Sequence, residues 1–97
     1  MTKAFVLDFL KQHKSEYLEK YGVTKIGLFG RYARGDSKES SDVDIAIEML
    51  EEKKSLHTFF SLKRELEKAF NLKVDLGIES ALKPIAKERI VKEIIYV

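Results

Sequence analysis

Apolar and polar positions follow two different rhythms along the chain. In some segments apolar side chains recur three or four positions apart, as on one face of a helix, and in others the pattern is that of a short, half-buried strand. The helical rhythm predicts helices over residues 5–21, 55–70 and 84–92, and the extended one predicts strands over residues 23–29, 42–49 and 73–78. Residues 94–97 fit either a terminal strand or the end of a helix.

Residues that break regular structure set the ends of these elements. Gly22 is expected to end the helix over residues 5–21, and Asn71 the helix over residues 55–70. Pro84 suits the first turn of the final helix. Residues 30–35 lie between two glycines and predict a turn or a short helix. The resulting order, α-β-α-β-α-β-α, predicts an α/β (α+β) domain with a small mixed sheet and helices packed on it.

Composition limits the classes of protein that the chain can belong to. Its 97 residues fit one domain, residues 1–97, and the absence of cysteine excludes disulfides and thiolate chemistry. No apolar run approaches the roughly 20 residues of a membrane span, and Asp8 interrupts any signal-like stretch, so we expect a cytoplasmic protein with no membrane partner. With 18 basic and 16 acidic residues, the net charge of +2 predicts no direct DNA binding.

Two aspartates stand two positions apart on the predicted strand 42–49. Because side chains alternate across a strand, the carboxylates of Asp42 and Asp44 are expected on one face, with Val43 on the other. Asp75 occupies the polar phase of the next predicted strand and would come close if the two strands are neighbours. Magnesium prefers such oxygen ligands, completed by phosphate and water. The sequence therefore predicts a two-magnesium site on Asp42, Asp44 and Asp75.

The segment just upstream provides donors for phosphate. The first predicted strand runs directly into Gly30, Arg31 and Arg34. Backbone N–H groups of a glycine turn and guanidinium groups both bind phosphate oxygens, so we predict that these three residues bind a nucleoside triphosphate. Nucleotidyl transfer needs mainly positioning and charge neutralisation, and a domain of this size suffices for it.

The spacing of these motifs resembles that of a known superfamily. Gly30-Arg31 is followed after ten residues by Asp42-Val43-Asp44, as in the G-S-x10-D-x-D signature of the DNA polymerase β-like nucleotidyltransferases. Segments 26–30, 33–35 and 41–45 resemble the minimal nucleotidyltransferase branch, and the similarity covers nearly the whole chain.

This resemblance implies a nucleotidyltransferase fold, ATP as the substrate and two Mg²⁺ ions bound by Asp42, Asp44 and Asp75. It also implies that Asp75 activates the attacking hydroxyl. Members of the branch are commonly antitoxins paired with a HEPN-domain toxin, which they neutralise by transferring AMP from ATP to a tyrosine. A magnesium-dependent protein adenylyltransferase with a HEPN-domain toxin as its partner is therefore expected.

One residue departs from the signature, because Arg31 stands where the family has serine. The arginine either holds the β- or γ-phosphate through bidentate contacts, or it fills the pocket and leaves a non-catalytic domain that neutralises its partner by binding alone. Nucleic-acid polymerisation would need template contacts that 97 residues hardly provide. The sequence does not determine the base of the nucleotide, and it allows a homo-oligomer without predicting one.

Overall fold

The protein is described from a computed structural model that covers residues 1–97. Its helices are α1 (Lys3–Tyr21), α2 (Gly30–Arg34), α3 (Leu56–Phe70) and α4 (Pro84–Glu93), and its strands are β1 (Val23–Phe29), β2 (Val43–Met49), β3 (Val74–Ile78) and β4 (Ile95–Tyr96). Two short 3₁₀ turns lie at Glu51–Lys53 and Glu79–Ala81. The predicted order of elements is confirmed, and the glycine-bounded segment is a short helix.

The sheet is mixed, as predicted, with the strand order β3-β2-β1-β4. Strand β1 pairs with β2 and with β4 in antiparallel fashion, whereas β2 and β3 run parallel. The parallel pair is joined through α3, which is the usual way to return a chain to the same edge of a sheet.

Gly22, Asn71 and Pro84 lie at the helix ends predicted for them, and Thr2 provides an N-cap that was not predicted. The N–H of Phe5 donates to the Thr2 side chain at 3.1 Å, so α1 begins two residues earlier than the apolar rhythm indicates. Gly22, with φ of 73°, and Asn71, with φ of 53°, adopt the left-handed conformation that ends α1 and α3. Pro84 is in the first turn of α4.

One face of the sheet carries the hydrophobic core, under α1 and α3. Buried side chains from both helices pack with those that alternate along the three longer strands; they include Leu10, Tyr17, Leu62, Leu66, Leu28, Ile45 and Val74. The Tyr17 hydroxyl is buried there without a hydrogen-bond partner, while that of Tyr21 donates to Glu65. Small residues in one register row, Gly27, Ala46 and Gly77, lie on the opposite face.

The last segment, which the sequence left open, is a strand. Leu28 pairs with Ile95 and Gly27 with Tyr96, so the chain end lies along β1. A buried carboxylate holds it there: Glu79, 6% exposed, accepts from the Tyr96 hydroxyl and, at 3.0 Å, from the Lys25 ammonium. None of the four helices is both long and apolar enough to cross a membrane.

Candidate active site

Carboxylates from two neighbouring strands meet on the face of the sheet opposite the core. In the strand register Asp44 lies between Phe29 of β1 and Asp75 of β3. Strand β2 begins at Val43, so Asp42 lies immediately before the strand and not within it. Val43 lies between the two aspartates and is buried on the core side. Asp42 is exposed and Asp44 is half-buried. The pairing of Asp44 with Asp75 brings together two residues that are 31 positions apart in the sequence.

The environment of Asp44 disfavours its negative charge. Burial, followed by the like charges of Asp75 and Asp42, raises the pKa of Asp44 to about 6, against a small opposing effect of Arg34. Asp75 and Asp42, and to a smaller extent Glu93, therefore place negative charge around Asp44 at this edge of the sheet. Such an arrangement costs stability unless a cation neutralises it.

Gly30 allows the backbone to pass directly over Asp44. Its φ of +74° lies in the left-handed region, and a Cβ atom added there would come within 2.8 Å of Asp44 Cγ and closer still to a carboxylate oxygen. Any larger residue would have to push the aspartate aside. The turn that opens α2 and the carboxylate of β2 are thus fitted to each other.

An open cavity of about 580 Å³ lies beside this contact, a size suited to a small ligand. Thirteen residues from β1, α2, the loop to β2, β2 and α4 line it: Phe29, Gly30, Arg31, Arg34, Lys38, Ser40, Ser41, Asp42, Asp44, Ala86, Arg89, Ile90 and Glu93. The cavity therefore joins Gly30, Arg31 and Arg34 to two of the three predicted carboxylates. Asp75 is adjacent to Asp44 but does not line the cavity.

The two arginines of the predicted phosphate site differ in what they bind. Arg34 donates from Nη1 to both carboxylate oxygens of Glu93, at 3.0 and 3.2 Å, and its Nε lies 3.4 Å from Asp36. Arg31 is exposed and makes no ion pair, so it does not fill the cavity as a buried plug. Lys38 and Arg89, which also line the cavity, likewise form no ion pair, so three cations there are free for an anion.

The donor set is chemically suited to magnesium, although no group of three or more acidic, histidine or cysteine side chains is gathered closely enough to form a metal cluster by itself. Aspartate oxygens are hard ligands, and magnesium usually keeps several waters and takes the remaining ligands from substrate phosphates. The pKa of Asp44 is raised first by burial and then by the like charges of Asp75 and Asp42, and a divalent cation would relieve this repulsion.

Glu93 and Arg89 reach the cavity from α4 and were not predicted as site residues. The predicted helix ended at residue 92, yet Ala86, Arg89, Ile90 and Glu93 follow a three-four spacing that marks one helix face. The strand register also predicts this position. Leu28 pairs with Ile95, and the same antiparallel register, continued by two residues, places Glu93 opposite Gly30. Glu93 is predictable as a site residue only when residues 95–96 are recognised as a strand.

Paired carboxylates on a mixed sheet, beside a cavity lined by arginines, are the arrangement expected of a nucleotidyl-transferring domain. The family model described as polymerase beta, nucleotidyltransferase, matches residues 12–97, and the chain belongs to this family. The protein adenylyltransferase MntA of Thermococcus cleftensis is 41% identical over 97 residues, which cover 100% of this chain and 97% of that protein. A relative from Methanocaldococcus jannaschii is 42% identical over 97 residues, covering 99% of this chain and 98% of its own length.

Solved structures confirm the fold. A structure described as that of a minimal nucleotidyltransferase has a TM-score of 0.82 and 27% identity, and covers 98% of this chain and 95% of its own. A toxin–antitoxin crystal structure with AMP-PNP has a TM-score of 0.73 at 22% identity, covering 89% of this chain and 70% of that one, and so supports the fold alone. The predicted nucleotidyltransferase fold and family are both confirmed.

Proposed function

We propose that this domain, residues 1–97, transfers AMP from ATP to a tyrosine hydroxyl of a HEPN-domain toxin and so acts as its antitoxin. The observation that carries the proposal is the register pairing of Asp44 with Asp75 beside a cavity that contains Gly30, Arg31 and Arg34. The similarity to a protein adenylyltransferase supports AMP as the group transferred. The likeness to a toxin–antitoxin crystal structure is consistent with a toxin partner. The cytoplasmic location is part of the proposal.

In the proposed reaction the tyrosine oxygen forms a bond to the α-phosphorus of ATP, the bond from that phosphorus to the β-phosphate oxygen breaks, and pyrophosphate leaves. Asp75, exposed beside Asp44, accepts the proton of the hydroxyl. Gly30 and the two arginines hold the phosphates in line for attack. Two Mg²⁺ ions, held by Asp42, Asp44 and Asp75, would supply neutralisation of the phosphate charge.

The test is calorimetric titration with a non-hydrolysable ATP analogue in the presence of magnesium. The double variant Asp42→Asn, Asp44→Asn should bind at least about tenfold more weakly than the native protein. Asp8→Asn, on the exposed side of α1, is the matched control for loss of an acidic charge and should leave the affinity unchanged. Equal affinity in the native protein and the double variant would refute the carboxylate site.

Transfer itself needs a separate assay, with ATP labelled at the α-phosphate and a HEPN-domain toxin as the acceptor. Label should appear on the toxin with the native protein and not with Asp75→Asn. Replacing the acceptor tyrosine by phenylalanine should also abolish labelling, because the phenyl ring has no nucleophilic oxygen.

A second candidate function rests on Arg31, the cation that replaces the signature serine. In that case the domain neutralises its partner by binding alone. Reverting Arg31→Ser separates the two: a variant that transfers AMP where the native protein does not would favour a degenerate native site. Exposure of the Arg31 side chain favours the catalytic alternative, since the arginine leaves the cavity open.

A further inference from the structure

Glu93 binds the same donors that the proposed phosphate site requires. Its Oε1 atom accepts from the N–H of Gly30 at 3.1 Å, and both of its oxygens accept from Nη1 of Arg34 at 3.0 and 3.2 Å. A backbone N–H and a guanidinium converging on one anion are the usual means of holding a phosphate group. Here a carboxylate of the protein takes that place.

We propose that Glu93 is an internal competitor of the triphosphate. Without nucleotide, the Glu93 carboxylate occupies the phosphate donors, and this competition sets the affinity for the nucleotide. The proposal rests on the function proposed above and adds a determinant of affinity to that site. A carboxylate and a phosphate cannot accept from the same N–H and the same guanidinium edge at the same time. Nucleotide binding that uses Gly30 and Arg34 therefore has to displace Glu93.

The backbone around Glu93 is fixed, so displacement involves its side chain. Glu93 is the last residue of α4, the next N–H, of Ile94, donates to Ile90 at 2.9 Å, and strand β4 then pairs with β1. The side chain itself is 28% exposed and has rotatable bonds that lead towards the open cavity. No part of the fold has to unfold for the exchange.

A second cation is within one helical turn of the competitor. Arg89 precedes Glu93 by four positions on the same cavity-lining face of α4 and makes no ion pair. Residues four apart on a helix are neighbours and can form an ion pair. When phosphate takes Arg34, the displaced carboxylate has Arg89 as its new partner, which lowers the cost of the exchange.

The experiment measures binding of inorganic tripolyphosphate without metal, and of the magnesium complex of a non-hydrolysable ATP analogue, to three forms of the protein. Glu93→Gln keeps an oxygen that accepts from Gly30 but removes the charge, and it should bind both probes about fivefold more tightly than the native protein. Glu88→Gln, exposed on the same helix and outside the cavity, removes one charge without freeing any donor and should match the native protein.

The outcomes separate the two proposals. Affinities of Glu93→Gln for tripolyphosphate equal to or weaker than those of Glu88→Gln would overturn the competitor role, as would no binding by either variant. Unchanged nucleotide binding by the Asp42→Asn, Asp44→Asn variant, in the titration described under the proposed function, would instead overturn that function. Glu93→Ala, which leaves both donors free, is the second variant should the glutamine variant fold poorly, and it should also bind tripolyphosphate more tightly than the native protein.

Discussion

Replacing Gly30 by alanine should destabilise the protein by about 2 to 4 kcal/mol. Two costs add. The φ of +74° is unfavourable for a residue with a side chain, by about 1 kcal/mol. The new methyl group would also lie 2.8 Å from Asp44 Cγ and 3.1 Å from its Cβ, an overpacking that costs about 1 to 3 kcal/mol because β2 holds the aspartate in place.

Gly35→Ala provides the matched control. Gly35 ends α2 with φ of +80°, nearly the same backbone conformation, but no atom lies within 4 Å of the position of its Cβ. This variant should therefore lose only the conformational part, about 1 kcal/mol. Urea unfolding at pH 7, followed by far-ultraviolet circular dichroism, gives both free energies of unfolding, and their difference isolates the contact with Asp44.

A double variant checks the cause. Asp44→Ala removes Cγ and both carboxylate oxygens, so Gly30→Ala in that background should cost little more than Gly35→Ala. If Gly30→Ala costs no more than Gly35→Ala in the native background, Asp44 moves aside freely. The tight fit between α2 and the carboxylate would then be refuted.

Four further substitutions test the charges and hydroxyls described above. Because the pKa of Asp44 is raised to about 6, the folded protein binds its proton more readily than the unfolded chain, so stability falls as pH rises from 3.8 to about 6. Asp44→Asn should remove that fall and add about 1 kcal/mol at pH 7, a value discounted for partial exposure; unchanged pH profiles in urea unfolding would contradict this. Tyr17→Phe, which deletes a buried unpaired hydroxyl, should leave stability unchanged or raise it by up to about 1 kcal/mol, whereas Tyr21→Phe should lower it by about 1 kcal/mol. Glu79→Gln should cost about 2 kcal/mol in thermal unfolding, because a buried carboxylate with a tyrosine and a lysine donor loses its charge.

Much of the fold follows from local patterns in the sequence. The apolar rhythm of α1 and α3 and the alternation in β2 arise because each element buries one face, and that constraint acts on neighbouring residues. The left-handed ends at Gly22 and Asn71 are equally local, and so are the N-caps at Thr2 and Ser55, which were not predicted. For the same reason the polar phase of β3 singled out Asp75 before the strand order was known.

The remaining features depend on pairing between distant segments. The contact of Arg34 with Glu93 spans 59 residues, and it exists only because the two residues of β4 lie beside β1. A two-residue strand has too little periodicity to be recognised, so the sequence left that segment open and ended α4 one residue short of Glu93. The short α2 was ambiguous for the same reason, since one turn of helix has no repeat.

The charges of the site also bear on how its proposed ligands would bind. A nucleotide without a cation would bring its phosphates towards Asp42 and Asp44, where burial and the like charges of Asp75 and Asp42 already raise the pKa of Asp44. A magnesium ion without a nucleotide would lack ligands, because the side chains alone form no metal cluster. Each ligand therefore supplies what the other lacks, and linkage requires that magnesium raise nucleotide affinity by the same factor as nucleotide raises magnesium affinity.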